Sequence, residues 1–388
     1  MTTNETNSAV NRIAALAALG QSIWLDYTTR DLVRSGKLQQ LIDYDGVRGM
    51  TSNPTIFQHA MASGTMYDDQ IKQLAAQGKD AAQIFDALAI KDIQDACDVF
   101  RKVYDRTSGT DGFVSIEVSP KLAHDTDGSI QEARRLWREV NRPNLMVKVP
   151  GTAEGAPAVR QLLSEGININ ITLLFSLQNH ERVMWAYIDA LDKRVAAQQP
   201  INRLASVASY FVSRVDTLVD KQLEEKIKNT TDAAQQERLR GLLGKAGVAN
   251  AKLAYARFRE IFDGERFLML RVQGARVQRP LWASTSTKNP AYRDVMYVEE
   301  LIGPDTVNTV PQETLEAFKD HGQVRRTVDQ NLDEARATLA ALKEVGIDYD
   351  AVTKQLEDEG VQKFSQSYDE LLAALDKKRQ AMLQSASR

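Results

Sequence analysis

The chain has 388 residues, 43% of them hydrophobic and 26% charged, with a formal net charge of -3. That composition belongs to a globular protein with core enough to hold a buried, rigid site, and the near-neutral balance offers no field for nucleic acid. No stretch reaches the roughly 18 to 20 apolar residues needed to cross a bilayer, so no membrane is expected as a partner.

The chain opens on MTTNETNSAV, which has no basic n-region and no apolar run, so no signal peptide is expected. The only cysteine, Cys97, lies in the helical-looking run IKDIQDACDVFRKVY. It reads as a small core residue, and with no partner for a disulfide it fits a reducing, cytoplasmic compartment.

Short apolar runs then alternate with longer amphipathic ones. In chain order the predicted strands are SIWLDY (22–27), GVRGMTSN (46–53), GFVSIEVSP (112–120), NLMVKVPG (144–151), ININITLLF (167–175), LASVASYFV (204–212), VQRPLWAS (277–284) and TVNTVP (306–311). Helices are predicted between them, for example SIQEARRLWREV after the capping-type residues Asp125 to Asp127, and AEGAPAVRQLLSEG, closed by Gly166. Eight strands with intervening helices predict an α/β fold of the (β/α)8 TIM-barrel type. The reading is a single barrel unit over residues 1–388. The barrel covers about 20–312, a long charged helical insertion about 218–262 precedes the seventh strand, and a C-terminal helical extension of three or so helices fills about 313–388. In the extension Phe364, Tyr368, Leu371, Leu372 and Leu375 recur at helical spacing, a stripe for packing on the barrel or its mouth, or for a dimer contact.

A doubly wound open sheet is the competing architecture, but its strands would be apolar on both faces. Here Val114, Ile116 and Val118 alternate with Ser115, Glu117 and Ser119, and Ile167, Ile169 and Ile171 with Asn168, Asn170 and Thr172. The same alternation groups Trp24 with Asp26, and Trp282 with Ser284. Helices must cover the outside, so these polar faces are expected to line a barrel interior. Each buried polar group left unpaired costs about 1 to 3 kcal/mol, an expense that a functional site explains. Asp26, Asn53, Glu117, Lys148, Thr172 and Ser284 all fall near the C-terminal ends of their strands, where barrel enzymes place their chemistry.

The four histidines, His59, His124, His180 and His321, lack ligand spacing, and neither CxxC nor HExxH occurs, so no metal is expected. No GxGxxG follows a strand and no GxxxxGK[ST] is present, which argues against a nucleotide cofactor. The strongest nucleophile left is Lys148, set in the apolar strand NLMVKVPG. Burial disfavours its charged form, and a neutral amine attacks ketones to give a Schiff base that acts as an electron sink. A buried ion pair with Glu117 or Asp26 is the plainer alternative.

Four blocks decide between these readings. TSNPT (51–55), MVKVPGTAEG (146–155), NITLLFS (170–176) and SYFVSRVD (209–216) occur in the order, and at the strands, of the transaldolase family, which the chain resembles over roughly residues 20–312. The insertion and the extended C-terminus resemble the longer bacterial branch of that family. The resemblance implies a cofactor-free transfer of a dihydroxyacetone unit from a ketose phosphate, such as sedoheptulose 7-phosphate or fructose 6-phosphate, to glyceraldehyde 3-phosphate or erythrose 4-phosphate. It also implies a place in the non-oxidative pentose phosphate pathway and a monomer or homodimer whose partners are sugar phosphates. Carried over residue by residue, Lys148 is the Schiff-base nucleophile and Asp26 the acid/base, while Glu117 and Thr172 hold a proton-shuttling water. Asn53, Asn170 and Ser209 bind the dihydroxyacetone hydroxyls, and Arg214 binds the phosphate. The family's seventh strand has a serine followed two residues later by arginine; here ASTSTKNP keeps Ser284, places Ser286 at the arginine position and offers Lys288 as the nearest charge. Two rivals share the barrel: a fructose 6-phosphate aldolase releasing free dihydroxyacetone, which is shorter in known relatives, and a non-catalytic sugar-phosphate binder.

Overall fold

The computed structural model describes residues 11–62 and 64–386; the opening stretch read for a targeting signal lies outside them. Eight parallel strands close into a barrel in sequence order: β1 (Gln21–Leu25), β2 (Gly49–Met50), β3 (Val114–Glu117), β4 (Leu145–Pro150), β5 (Ile169–Leu174), β6 (Ser206–Phe211), β7 (Arg279–Ala283) and β8 (Thr306–Val310). The ring closes where β8 pairs with β1, from Gln21 opposite Thr306 to Leu25 opposite Val310, leaving no open edge. The expected TIM-type barrel is therefore the observed one.

β2 is far shorter than the predicted 46–53 run. Gly46 turns the backbone at φ +85, and Asn53 already caps the helix Pro54–Ala62. Gly49 has to be glycine, because a Cβ there would lie 2.6 Å from the Trp24 indole. The helix predicted from Ser129 begins earlier, at Thr126, because the Asp125 carboxylate accepts the Gly128 N–H at 2.9 Å and captures the preceding turn.

Strand alternation divides the apolar residues into two layers. Leu145, Val147, Val149, Ile169 and Ile171 point outward into the core shared with the helices. Trp24, Phe113, Met146, Val207, Leu281 and Val307 pack inward as an apolar plug. One sequence assignment is corrected here. Trp282 belongs to the outer layer, 6.3 Å from the Tyr210 ring and donating to the Leu301 carbonyl, so it does not share an interior face with Ser284. Ser284 follows the end of β7 at φ +55, and that left-handed residue breaks the alternation that would have sent it outward.

Between β6 and β7 the single charged stretch expected from the sequence is four helices, Ser213–Asn229, Ala233–Arg240, Ala246–Phe262 and Glu265–Val272. The third is largely buried through Ala251, Ala254, Tyr255, Phe258 and Phe262. Three helices follow β8, and the last, Tyr349–Ala386, is 38 residues long. It runs across the C-terminal mouth of the barrel. Tyr349 Oη donates to the Phe175 carbonyl, Glu357 accepts from Asn179 at 2.6 Å, Ser367 pairs with Thr55 at 2.9 Å, and Tyr368 meets Phe85 edge to face. The apolar stripe recognised in the sequence is the inward side of this strap, with Leu371 and Leu375 fully buried.

Candidate active site

A cavity of about 200 Å³ opens at the C-terminal ends of the strands, lined by Asp26, Asn53, Lys148, Thr172, Ser209, Arg214, Ser284 and Lys288 among others. Eight of the ten residues singled out from the sequence thus share one chamber. The other two stand beside it.

Lys148 is 5% exposed. Its register neighbours are Glu117 on β3 and Asn170 on β5, so three polar residues occupy one level of three adjacent strands. The ammonium donates to the Ser52 carbonyl at 2.9 Å and lies 3.3 Å from Glu117 Oε2. Neither carboxylate oxygen of Glu117 has a hydrogen-bond partner among the described residues, and nor does Thr172 Oγ1. Burial pushes the Glu117 carboxyl above the usual range, against the pull of Lys148, and the negative charge of Asp26 adds to the rise. Glu117 itself lies outside the 200 Å³ chamber, facing an adjoining recess it shares with Asn53.

Asp26 follows β1 directly, and its Oδ1 accepts the Thr51 hydroxyl at 2.7 Å; Thr51 in turn meets Thr309 at 2.8 Å. Burial raises the Asp26 carboxyl, opposed by Lys148, the Thr51 hydrogen bond, Arg214 and Lys288. Thr51 lay within the TSNPT block but carried no predicted role; its signal was its place beside Asn53. Asn53 spends its side-chain oxygen on the Ile56 N–H, starting the next helix and keeping its amide nitrogen for the chamber.

Asn170 stands below the wall rather than in it. Its oxygen accepts from Ser209 Oγ at 2.7 Å and its nitrogen donates to Ser115 Oγ at 3.1 Å, so the side chain holds Ser209 in place. The alternation of β5 ends just above, where Leu173 adopts φ +60 and the pairing with β6 slips between Ile171 and Leu174. Leu173 therefore leaves the outer core after Thr172 and packs beneath Gly360 of the C-terminal strap, a strained conformation that costs about 1 to 3 kcal/mol and is tolerated where it shapes a site.

The far wall is cationic. The Arg214 guanidinium makes no hydrogen bond to another described residue and sits between two rings, 5.1 Å from Phe211 and 5.9 Å from Phe364 of the C-terminal strap. A Cβ added to Gly360 of the same strap would lie 3.7 Å from an Arg214 nitrogen. Lys288 donates to Ser286 Oγ at 2.6 Å, and Ser284 Oγ meets Ser213 Oγ at 3.0 Å. Phe364 could not be found from its neighbourhood in the sequence, since it looks like any other member of an apolar helical stripe. Lys363 beside it is depressed, first by the charge of Arg214 and further by burial and Lys288. The wall thus concentrates positive charge.

A polar chamber at the C-terminal mouth of a barrel, with one buried amine, two carboxyls raised by burial and a cationic wall, agrees with what known proteins report. The model of the transaldolase/fructose-6-phosphate aldolase family matches residues 23–375. The chain belongs to this family. Among its relatives, a transaldolase of Acidothermus cellulolyticus is 50% identical over 364 residues, covering 94% of this chain and 95% of that protein. One from Thiobacillus denitrificans is 49% identical over 360 residues, covering 93% and 98%, and one from Mycolicibacterium smegmatis is 48% identical over 363 residues, covering 93% and 96%. The matched residues include the C-terminal strap as far as residue 375, Phe364 among them.

Cys97 is fully buried in the helix Ala81–Arg106, and burial pushes its thiol up, which suits the core role read from the sequence. Among the described residues no helix is long and apolar enough to cross a membrane.

Proposed function

We infer that this chain is a transaldolase, a transferase that moves a dihydroxyacetone unit between sugar phosphates through a Schiff base on Lys148. The observation that carries the reading is the placement of the Lys148 amine 3.3 Å from Glu117 at the mouth of the barrel, facing a wall that holds Arg214 and Lys288. The acceptance of a proton by Glu117 frees the amine, which attacks the ketone carbon of the donor. Loss of water from the carbinolamine gives the iminium, with Glu117 and Thr172 holding the water that passes protons; their unpartnered polar atoms suit that task.

Asp26 then takes the proton of the hydroxyl on the far carbon of the bond to be broken, the carbon that becomes the leaving aldehyde. The electron pair of the carbon–carbon bond moves into the iminium, the aldehyde leaves, and an enamine stays on Lys148. Attack on an acceptor aldehyde and return of the Asp26 proton reverse these steps, and hydrolysis regenerates the amine. The carboxyl of Asp26, raised by burial, is matched to accepting and returning a proton. Asn53 and Ser209, the latter held by Asn170, bind the hydroxyls of the dihydroxyacetone unit. Arg214 takes the phosphate as a forked, permanently charged donor, Ser284 assists it, and Lys288 supplies the second charge in place of the strand-seven arginine. The same reading takes the chain as one barrel unit with helical additions at 218–262 and 313–388, a monomer or homodimer in the cytoplasm.

Borohydride added after mixing with fructose 6-phosphate is expected to fix a three-carbon fragment on Lys148, and none on Lys148→Ala. An adduct on a different lysine would overturn the assignment. Erythrose 4-phosphate is expected to accumulate only when an acceptor aldehyde is supplied; steady release without acceptor would make the chain an aldolase.

A further inference from the structure

At the opposite, N-terminal end of the barrel lies a second cavity, of about 470 Å³ against about 200 Å³ for the first. Its floor includes Phe113, Met146 and Val207, the underside of the apolar plug. Four arginines line it, Arg259, Arg271, Arg276 and Arg279, with Asp305 the one carboxylate among the lining residues.

The partners of these guanidinium groups differ. Arg279 is bound to Asp111 at 3.0 Å and to Ser22, and Arg259 pairs with Asp263 at 2.8 Å and Asp305 at 3.2 Å. Among the described residues Arg276 donates only to neutral oxygens, Thr110 Oγ1 at 3.3 Å and the Ser108 carbonyl at 2.6 Å. Arg271 donates to the Phe262 carbonyl at 3.3 Å and stacks on the Phe267 ring. Two guanidinium groups with no carboxylate partner among the described residues therefore share a recess with two more. Burial lowers the Arg276 pKa, and the charges of Arg203 and Arg279 add to that effect. An incoming anion would relieve this repulsion and gain charge-assisted, forked hydrogen bonds.

We propose that this basal cavity binds a small phosphomonoester, its phosphoryl group held by Arg271 and Arg276 and its organic part resting on Phe113 and Met146. A bare carboxylate would use the forks less fully, and the net charge of -3 offers an extended polyanion such as nucleic acid no attracting field. The cavity is separated from the Lys148 chamber by the apolar plug, so the proposal stands whether or not the reading of that chamber holds.

The full chain carrying Lys148→Ala, Arg214→Gln and Lys288→Ala, which removes the three cations that line the chamber at the other end, is titrated calorimetrically with inorganic phosphate, glycerol 3-phosphate and AMP. Saturable binding of the phosphomonoesters is expected, weakened roughly tenfold or more by Arg276→Gln and by Arg271→Gln. Tighter binding of AMP than of glycerol 3-phosphate would identify the ligand source as a nucleotide, and equal binding a sugar or triose phosphate. Arg271 is exposed, so Arg271→Gln keeps the test decisive should Arg276→Gln fail to fold. Binding indifferent to both substitutions, or no saturable binding at millimolar ligand, overturns the proposal.

Discussion

The two ends of the barrel treat buried charge in opposite ways. At the N-terminal end Asp111, 2% exposed, accepts from Ser22 at 2.7 Å, Trp24 at 3.2 Å and Arg279 at 3.0 Å, so the charge is enclosed by donors. At the C-terminal end, among the described residues, Glu117 is buried with its oxygens unpartnered apart from the 3.3 Å approach of Lys148, and Asp26 has the Thr51 hydroxyl as its one side-chain donor. The network around Asp111 is closed and fixes strands to one another. The C-terminal end keeps its acids and its amine incompletely satisfied, and groups in that state are the ones that can exchange protons and bonds.

That contrast can be broken by experiment. The largest effect is expected for Lys148→Ala, which should lower kcat by about 10⁴-fold or more while leaving the unfolding midpoint close to wild type, because the nucleophile is lost but no closed network is opened. Steady-state assays and urea titration on one preparation check both halves. Asp111→Ala is the mirror image. It strands Arg279 and Ser22 without their acceptor and should destabilise the fold by about 3 to 5 kcal/mol, with kcat of the folded fraction unchanged. If Asp111→Ala proved neutral in urea, the basal network would have no structural role.

A smaller effect is expected for Arg214→Gln, a rise in KM for fructose 6-phosphate of roughly 10- to 100-fold with kcat for unphosphorylated fructose little altered, since a hydrogen bond to a charged group is worth about 1.5 to 3 kcal/mol. Phe364→Ala should reproduce part of that rise by loosening the ring that holds the guanidinium, and Lys288→Ala should add a lesser one, Lys288 being exposed. An unchanged KM in Lys288→Ala would remove that lysine from the phosphate site.

The smallest concerns pH. Burial raises the Asp26 carboxyl in the folded state. Such a group contributes stability below its unfolded pKa and loses it as pH rises through the folded pKa. Asp26→Asn removes that handicap, so it should gain on the order of 1 kcal/mol over wild type at pH 8, with the gain vanishing in acid, while transfer activity falls. Urea unfolding at both pH values checks the sign; an advantage that grew toward acid would mean that Asp26 is better satisfied than its surroundings indicate.

Much of the molecule was legible because a barrel strand reports its two faces directly. The alternation of Ser115 and Glu117 with Val114 and Ile116, and of Asn170 and Thr172 with Ile169 and Ile171, is the inside and outside of the ring written at period two. The reading failed where that period breaks. Ser284 and Leu173 are non-glycine residues at positive φ, and nothing in their side chains announces it, so Trp282 was placed on the wrong face and Leu173 was not seen entering the mouth. It also failed at a distance, since Phe364 reaches Arg214 across 150 positions of chain and the arginines of the basal cavity come from separate elements.

Taken alone, the sequence determined the eight strands, the enclosing helices, the family blocks and the identity of the amine, because each of these is encoded in spacing over a few residues. Tertiary structure decided what surrounds each group: Glu117 3.3 Å from Lys148, Asn170 bracing Ser209 from below the chamber wall, and the long last helix closing over the mouth. The physical reason is that desolvation and charge pairing depend on every element packed around a group, and that closing the ring is what brings β8 and the C-terminal helix against β1 and the residues that follow it.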